Sequence, residues 1–215
     1  KGPAMSREEA VKAIEVGIGM VADLKEKGYN VLATGEMGIG NTTTSSAVCS
    51  VLLDQSVEKV TGKGAGLTNK DLEHKIEVIR QSIALNKVNA DDPLDVLAKV
   101  GGLDIAGMAG CYIGGAALNI PVFIDGFISS VAALIAIRLV PECAPYLFPS
   151  HCSNEPAGRM ILDAIGKQPY IFANMCLGEG TGAVMGFTIA DYAFKAYWEL
   201  PSFEQTNFGT YEELN

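Results

Sequence analysis

Late in the chain a lone carboxylate, Glu179, stands between Gly178 and Gly180 in the loop LGEGTG, with apolar residues around it. Packing gives a carboxylate little there, and partial burial would raise its basicity, so Glu179 is the sharpest candidate for a general base. The competing reading is an acid at a helix N-terminus, held by the dipole. Early in the chain GEMGIGNT, residues 35–42, sets glycines at Gly35, Gly38 and Gly40. Backbone N–H groups left unshielded by side chains and delivered at the start of a helix hold anions. The stretch fits the P-loop template at Gly35, Gly40 and Thr42, but the template's lysine is Asn41 here. A nucleoside triphosphate is therefore disfavoured. A single phosphate carried on a ribose fits, held by backbone N–H groups and by the hydroxyls of Thr42, Thr43 and Thr44. A tight strand-to-helix turn with no ligand is the alternative.

Other polar residues fall where loops should follow strands: Glu36, Asp125, Ser150, His151, Ser153 and Glu155. Glu36 lies inside the cradle, where its charge would repel a phosphate unless it points toward ribose hydroxyls or a lysine. An exposed loop acid is equally open. Asp125 closes a strand, as ribose-binding and catalytic acids do, and could as well cap the next helix. No G-x-S-x-G motif surrounds His151, which favours a hydrogen-bonded loop histidine over a general acid or base. His74, within KDLEHKIEVI, belongs on a solvated helix face.

The elements that must position these residues alternate. Ser6 and Glu9 form a capping box for a first helix, with Ile14, Ile18, Val21 and Leu24 at helical spacing until Gly28. A strand over 29–34 delivers the cradle, and a helix follows over 42–54. A second glycine stretch, TGKGAGLT at 61–68, precedes a helix over 69–89, and Asp92-Pro93 starts a short one ending at Gly101. DIAGMAGCYIGGAALN, 104–119, reads as a close-packing buried or interface helix. Three more strand, loop and helix units follow, with strands at 121–125, from 146 and from 170, the last feeding a helix to about 198. Such alternation predicts an α/β fold, a parallel sheet flanked by helices in a Rossmann-like three-layer arrangement, whose loops share one rim at the strands' carboxyl ends.

Composition narrows the partners. A hydrophobic share of 48% in 215 residues supplies one well-buried domain. A net charge of −9 excludes nucleic acid and an anionic membrane surface as partners. No apolar run reaches the roughly 18 residues of a membrane span, and the first residues carry no signal-peptide pattern, so a cytoplasmic protein is expected. The cysteines, Cys49, Cys111, Cys143, Cys152 and Cys176, are expected to be reduced and buried, with no metal site.

Five stretches in one order then carry a resemblance: GEMGIGNTTTSSAV from Gly35, VGGLDIAGMAG from Val100, IDGFISSVAAL from Ile124, SHCSNEPAGRMIL from Ser150 and LGEGTGA from Leu177. The chain resembles nicotinate-nucleotide:dimethylbenzimidazole phosphoribosyltransferases from Gly2 to about Leu200. The resemblance implies transfer of phosphoribose from nicotinate mononucleotide to 5,6-dimethylbenzimidazole, giving α-ribazole 5′-phosphate and nicotinate for the lower ligand of cobalamin, without a cofactor. By it, Glu179 is the base, and Gly38, Gly40, Asn41 and Thr42 cradle the phosphate. Lys75 is expected to balance charge near Glu36, Asp125 and Ser153 to lie near the ribose or the base ring, and Gly178 to line the substrate. Members of that family continue before the residue matched by Lys1, and part of the benzimidazole pocket and of a small helical domain comes from there. The expectation is thus an α/β domain over 1–200 with part of a small helical domain, and a polar acidic tail over 201–215. A homodimer is expected from the small-residue helix over 104–119 and the apolar helix after Gly126. The alternative to the transferase is a non-catalytic nicotinate mononucleotide-binding fragment.

Overall fold

The computed structural model describes residues 1–64 and 66–206. Helices dominate, because the apolar residues recur at helical spacing over most of the chain. In order the elements are α1 (Arg7–Glu26), β1 (Leu32–Ala33), α2 (Asn41–Leu52), α3 (Val57–Val60), α4 (Asn69–Asn86), α5 (Pro93–Val100), α6 (Leu103–Ala117), β2 (Val122–Ile124), α7 (Phe127–Leu139), β3 (Leu147–Pro149), α8 (Gly158–Ala164) and α9 (Thr181–Glu199). A 3₁₀ helix at Pro141–Tyr146 leads into β3. The local signals act as their chemistry requires. Ser6 and Glu9 close a capping box on α1, Thr68 and Asp71 close another on α4, and the Asp92 side chain accepts from the Leu94 and Asp95 N–H groups to start α5.

The three strands are parallel in the order β1-β2-β3, with Leu32 opposite Val122 and Phe123 opposite Phe148. The expected parallel sheet flanked by helices is therefore present, and it is small. A fourth strand, expected from 170, reduces to one parallel bridge between His151 and Ile171. The expected strand over 29–34 keeps only its end, since β1 has a neighbour on one side and Tyr29 and Val31 are exposed. Alternation along β2 sends Val122 and Ile124 into the main core with Tyr112 of α6 and Val131 of α7. Phe123 turns to the other face, where its ring meets Phe148, Tyr170 and Phe187 of α9.

The small residues of α6 have an intrachain use. A Cβ at Gly17 of α1 would collide with the Gly107 carbonyl, and one at Gly110 with the Ile14 carbonyl, so α1 and α6 lie backbone to backbone. Along α7 every residue from Phe127 to Ala136 is buried. Much of the surface of both helices is thus used within the chain, while Leu103 of α6 is exposed. Cys49 and Cys143 are buried as expected; Cys176 departs from that expectation and is exposed. Most of the polar tail, residues 207–215, lies outside the described residues. Among the described residues no helix is long and apolar enough to cross a membrane.

Candidate active site

Two glycine loops and the N-terminal end of α2 build one end of the site. Gly38 and Gly40 take positive φ, 90° and 82°, so the chain can turn sharply into α2, and no side chain caps that helix. Its first N–H groups are thus available to an anion. The second loop closes over the first: a Cβ at Gly64 would stand 2.8 Å from Thr42 Oγ1. Lys75 reaches in from α4, donating to Thr42 Oγ1 at 2.9 Å and to the Gly62 carbonyl at 3.0 Å. It is 7% exposed, and burial lowers its pKa from the usual lysine range. The opposing charge is Glu155, where the sequence suggested Glu36. Burial raises the Glu155 carboxyl above the usual carboxylate range, with Lys75 and the Gly64 backbone working against that rise. Glu155 Oε2 is buried without a partner among the described residues. A phosphate beside Lys75 would add to Glu155 a second, hydrogen-bonding anion for this ammonium.

Asn41 does not aim its amide at the cradle. Its Nδ2 donates to Asp104 Oδ2 at 2.7 Å, tying the first turn of α2 to α6. Only its backbone remains for a phosphate.

The other end of the site is the loop before α9, laid directly on the cradle loop. The Glu179 N–H donates to the Glu36 carbonyl at 3.1 Å, and a Cβ at Gly35 would stand 2.5 Å from the Gly180 nitrogen. Only glycines permit that approach. Gly178, Glu179 and Gly180 all take positive φ, which for the glutamate is a strained choice held by its surroundings. Asp125, at the end of β2, locks the loop from below. Its Oδ1 accepts from the Gly182 and Ala183 N–H groups at 2.8 and 3.1 Å, and its Oδ2 from Gly180 at 3.0 Å. Asp125 is 1% exposed and caps α9, a helix 55 residues away, rather than the helix that follows it. The sequence offered both the ribose and the next helix for this residue; the backbone of α9 takes the carboxylate instead.

These elements enclose two adjoining cavities. The first, about 180 Å³, is lined by Gly38, Thr42, Gly64, Asp125, Ser153, Glu155 and Gly178, with His151 on its wall and Phe127, Ile128, Met175 and Leu177 as apolar surface. The second, about 610 Å³ and open to solvent, is lined by Thr34, Gly35, Glu179, Gly180 and Val184. Glu36 and Met37 belong to both. Glu179 is exposed rather than partly buried, and Glu36 folds an oxygen back to accept from the Met37 N–H at 3.0 Å. Ser153 Oγ accepts from the Glu155 N–H at 3.3 Å. Residues far apart in sequence thus converge on one rim at the strands' carboxyl ends. Sequence reasoning assigned Glu155 no specific role and left the Gly62–Gly64 segment as a possible plain loop; the only signals for either were a glycine run and a lone acid.

A small parallel sheet thus carries a glycine cradle, an adjoining lysine and a carboxylate-bearing loop on one rim. The chain belongs to the phosphoribosyltransferase family, whose profile matches residues 1–208. It is 55% identical over 214 residues to the nicotinate-nucleotide–dimethylbenzimidazole phosphoribosyltransferase of Ruminiclostridium cellulolyticum, covering 100% of this chain and 61% of that protein. It is 50% identical over 214 residues to the enzyme of the same name from Clostridium acetobutylicum, again covering 61% of it. Among solved structures it is similar to CobT from Thermus thermophilus, with a TM-score of 0.90 at 34% identity, over 97% of this chain and 62% of that one. The chain therefore spans about 61% of the length of the curated relatives it matches.

Proposed function

We propose that this chain supplies the donor site and the general base of a nicotinate-nucleotide:dimethylbenzimidazole phosphoribosyltransferase. The observation that carries the reading is the Glu179 N–H to Glu36 carbonyl bond at 3.1 Å, which joins the base loop to the phosphate cradle. Nicotinate mononucleotide places its phosphate between the N-terminal end of α2, Thr42 and Lys75, and its ring toward the apolar wall of the smaller cavity. The benzimidazole enters the open cavity, where Glu179 stands. One ring nitrogen attacks C1′ from the face opposite the pyridinium. The C1′–N bond of the donor breaks, its electron pair returns to the pyridine ring, and nicotinate leaves without needing an acid. Glu179 removes the benzimidazole N–H proton, so that α-ribazole 5′-phosphate forms with a neutral base ring. Positioning the two reactants across the Glu36–Met37 wall supplies much of the acceleration, and the base adds the rest.

The other assigned residues fit this reading in distinct ways. Gly38, Gly40, Asn41 and Thr42 offer the cradle, Asn41 through its backbone. Glu36, Ser153 and Gly178 line the donor, and Asp125 acts through the loop that it holds. A phosphorylated donor does not cross a membrane unaided, so the protein belongs in the cytoplasm. A homodimer belongs to the same reading, supported by the exposed apolar face of α9.

The experiment is Glu179→Gln in a protein carrying this chain at the full length of its relatives, with α-ribazole phosphate formation followed directly. Turnover should fall by about 10²–10⁴-fold with the apparent affinity for nicotinate mononucleotide little changed. Turnover near that of the parent would reject Glu179 as the base.

A further inference from the structure

His151 is 2% exposed and yet lines the smaller cavity. Its tautomer follows from counting protons. Ser150 Oγ lies 2.8 Å from the Ile124 carbonyl, which can only accept, so the single hydroxyl proton is committed there. The same Oγ lies 3.1 Å from His151 Nδ1 and can only accept from it. Nδ1 therefore carries the ring proton. Burial disfavours the imidazolium, with Asp125 pulling weakly the other way, so the ring is neutral and Nε2 is left as a bare acceptor. Among the described residues Nε2 has no hydrogen-bond partner.

The ring packs directly on the start of α9, where a Cβ at Gly182 would collide with Nδ1, while a Cβ at Gly126 would stand in ordinary contact, 3.6 Å from Nε2. Asp125, the acidic neighbour on the same wall, has both oxygens engaged by the N–H groups of Gly180, Gly182 and Ala183. His151 Nε2 is thus an open acceptor on the wall of the cavity that Thr42, Ser153 and Phe127 also line.

We infer that His151 Nε2 accepts a hydrogen bond from a ribose hydroxyl of the bound nucleotide and makes the site selective for ribose over deoxyribose. The inference rests on the phosphoribosyl reading above. It follows from the chemistry of nicotinate mononucleotide, whose phosphate and nicotinate groups are ionised at neutral pH and carry no donor. Its ribose hydroxyls are the only groups that can give Nε2 a proton. His151 is then a specificity residue, with no part in bond making or breaking.

The test is calorimetric titration with nicotinate mononucleotide and its 2′-deoxy and 3′-deoxy analogues, using the parent protein, His151→Phe and His151→Gln. The parent should bind one of the two analogues about tenfold more weakly than the ribonucleotide. His151→Phe should bind that analogue and the ribonucleotide within about twofold of each other, and His151→Gln, whose amide oxygen can accept, should regain part of the preference. A preference unchanged in His151→Phe overturns the inference, as does a parent protein that never discriminates. A readout that needs no variant is ¹⁵N NMR of the histidines, which number only two. The Nε2 resonance of His151 should move upfield on adding the ribonucleotide and stay in place with the analogue that lacks the bonded hydroxyl; equal movement with both overturns the inference. A folded parent protein that binds none of the three nucleotides overturns the phosphoribosyl reading and the inference with it, whereas tight binding without discrimination removes the inference alone.

Discussion

At the scale of single residues, the Asp125 carboxylate is spent on backbone. Three N–H groups on its carboxylate satisfy the end of α9, a task usually left to a residue adjoining the helix. Lys75 sits at the cradle, where its hydrogen bonds to Thr42 and Gly62 place the ammonium while burial weakens its charged form. His151 carries a consequence for stability. Its folded pKa lies below the ordinary value of 6.5, chiefly through burial. Below about pH 6.5 the unfolded chain therefore binds a proton that the folded chain refuses, and stability falls as pH falls until the folded pKa is reached. Thermal unfolding from pH 7.5 down to 5 should show a steeper loss of midpoint in the parent than in His151→Gln. Parallel curves would mean that the imidazole is not held neutral.

At the scale of elements the architecture depends on close backbone approach. Gly17 and Gly110 let α1 and α6 touch, and Gly35 lets the cradle loop lie on Gly180. Gly110→Ala should destabilise the fold by about 1–3 kcal/mol, because its methyl meets the Ile14 carbonyl, a backbone atom that cannot step aside. Gly19→Ala is the matched control, with open space around it in the α1 helix, and should stabilise by roughly 0.5–1 kcal/mol. Urea unfolding of both variants checks the pair; equal effects would remove the packing argument. The same contrast marks what the sequence could reveal. Capping boxes at Ser6 and Thr68, the cap at Asp92 and the turn glycines of the cradle are local, so their spacing was enough. The service of Asp125 to α9 was not legible, since nothing near Asp125 separates the next helix from a distant one. The small residues of α6 announced a close neighbour without saying that it was α1. The last expected strand failed because Tyr170 and its neighbours make one bridge where a ladder would need several.

At the scale of the whole molecule one helix is left over. Tyr192, Phe194, Tyr197 and Trp198 of α9 are 64–77% exposed, and a groove of about 980 Å³ runs between α9 and the sheet, lined by Val31, Phe123, Phe148, Phe187, Phe194 and Tyr197. The same helix starts at Thr181, directly after the loop bearing Glu179. A contiguous apolar face of this kind marks an association surface. Its pairing with a second copy is the form consistent with the homodimer proposed above, and the tendency of identical chains to close in twofold pairs favours it. Light scattering of the protein should give twice the chain mass, and Phe194→Asp, which puts a charge on the exposed face, should return a monomer with its secondary structure intact. If the proposed function holds, that monomer should also lose turnover by a larger factor than affinity for nicotinate mononucleotide, because that reading puts the base on the loop before α9 and the phosphate at α2 and Lys75. A parent protein that is monomeric across a concentration series would reject pairing through α9.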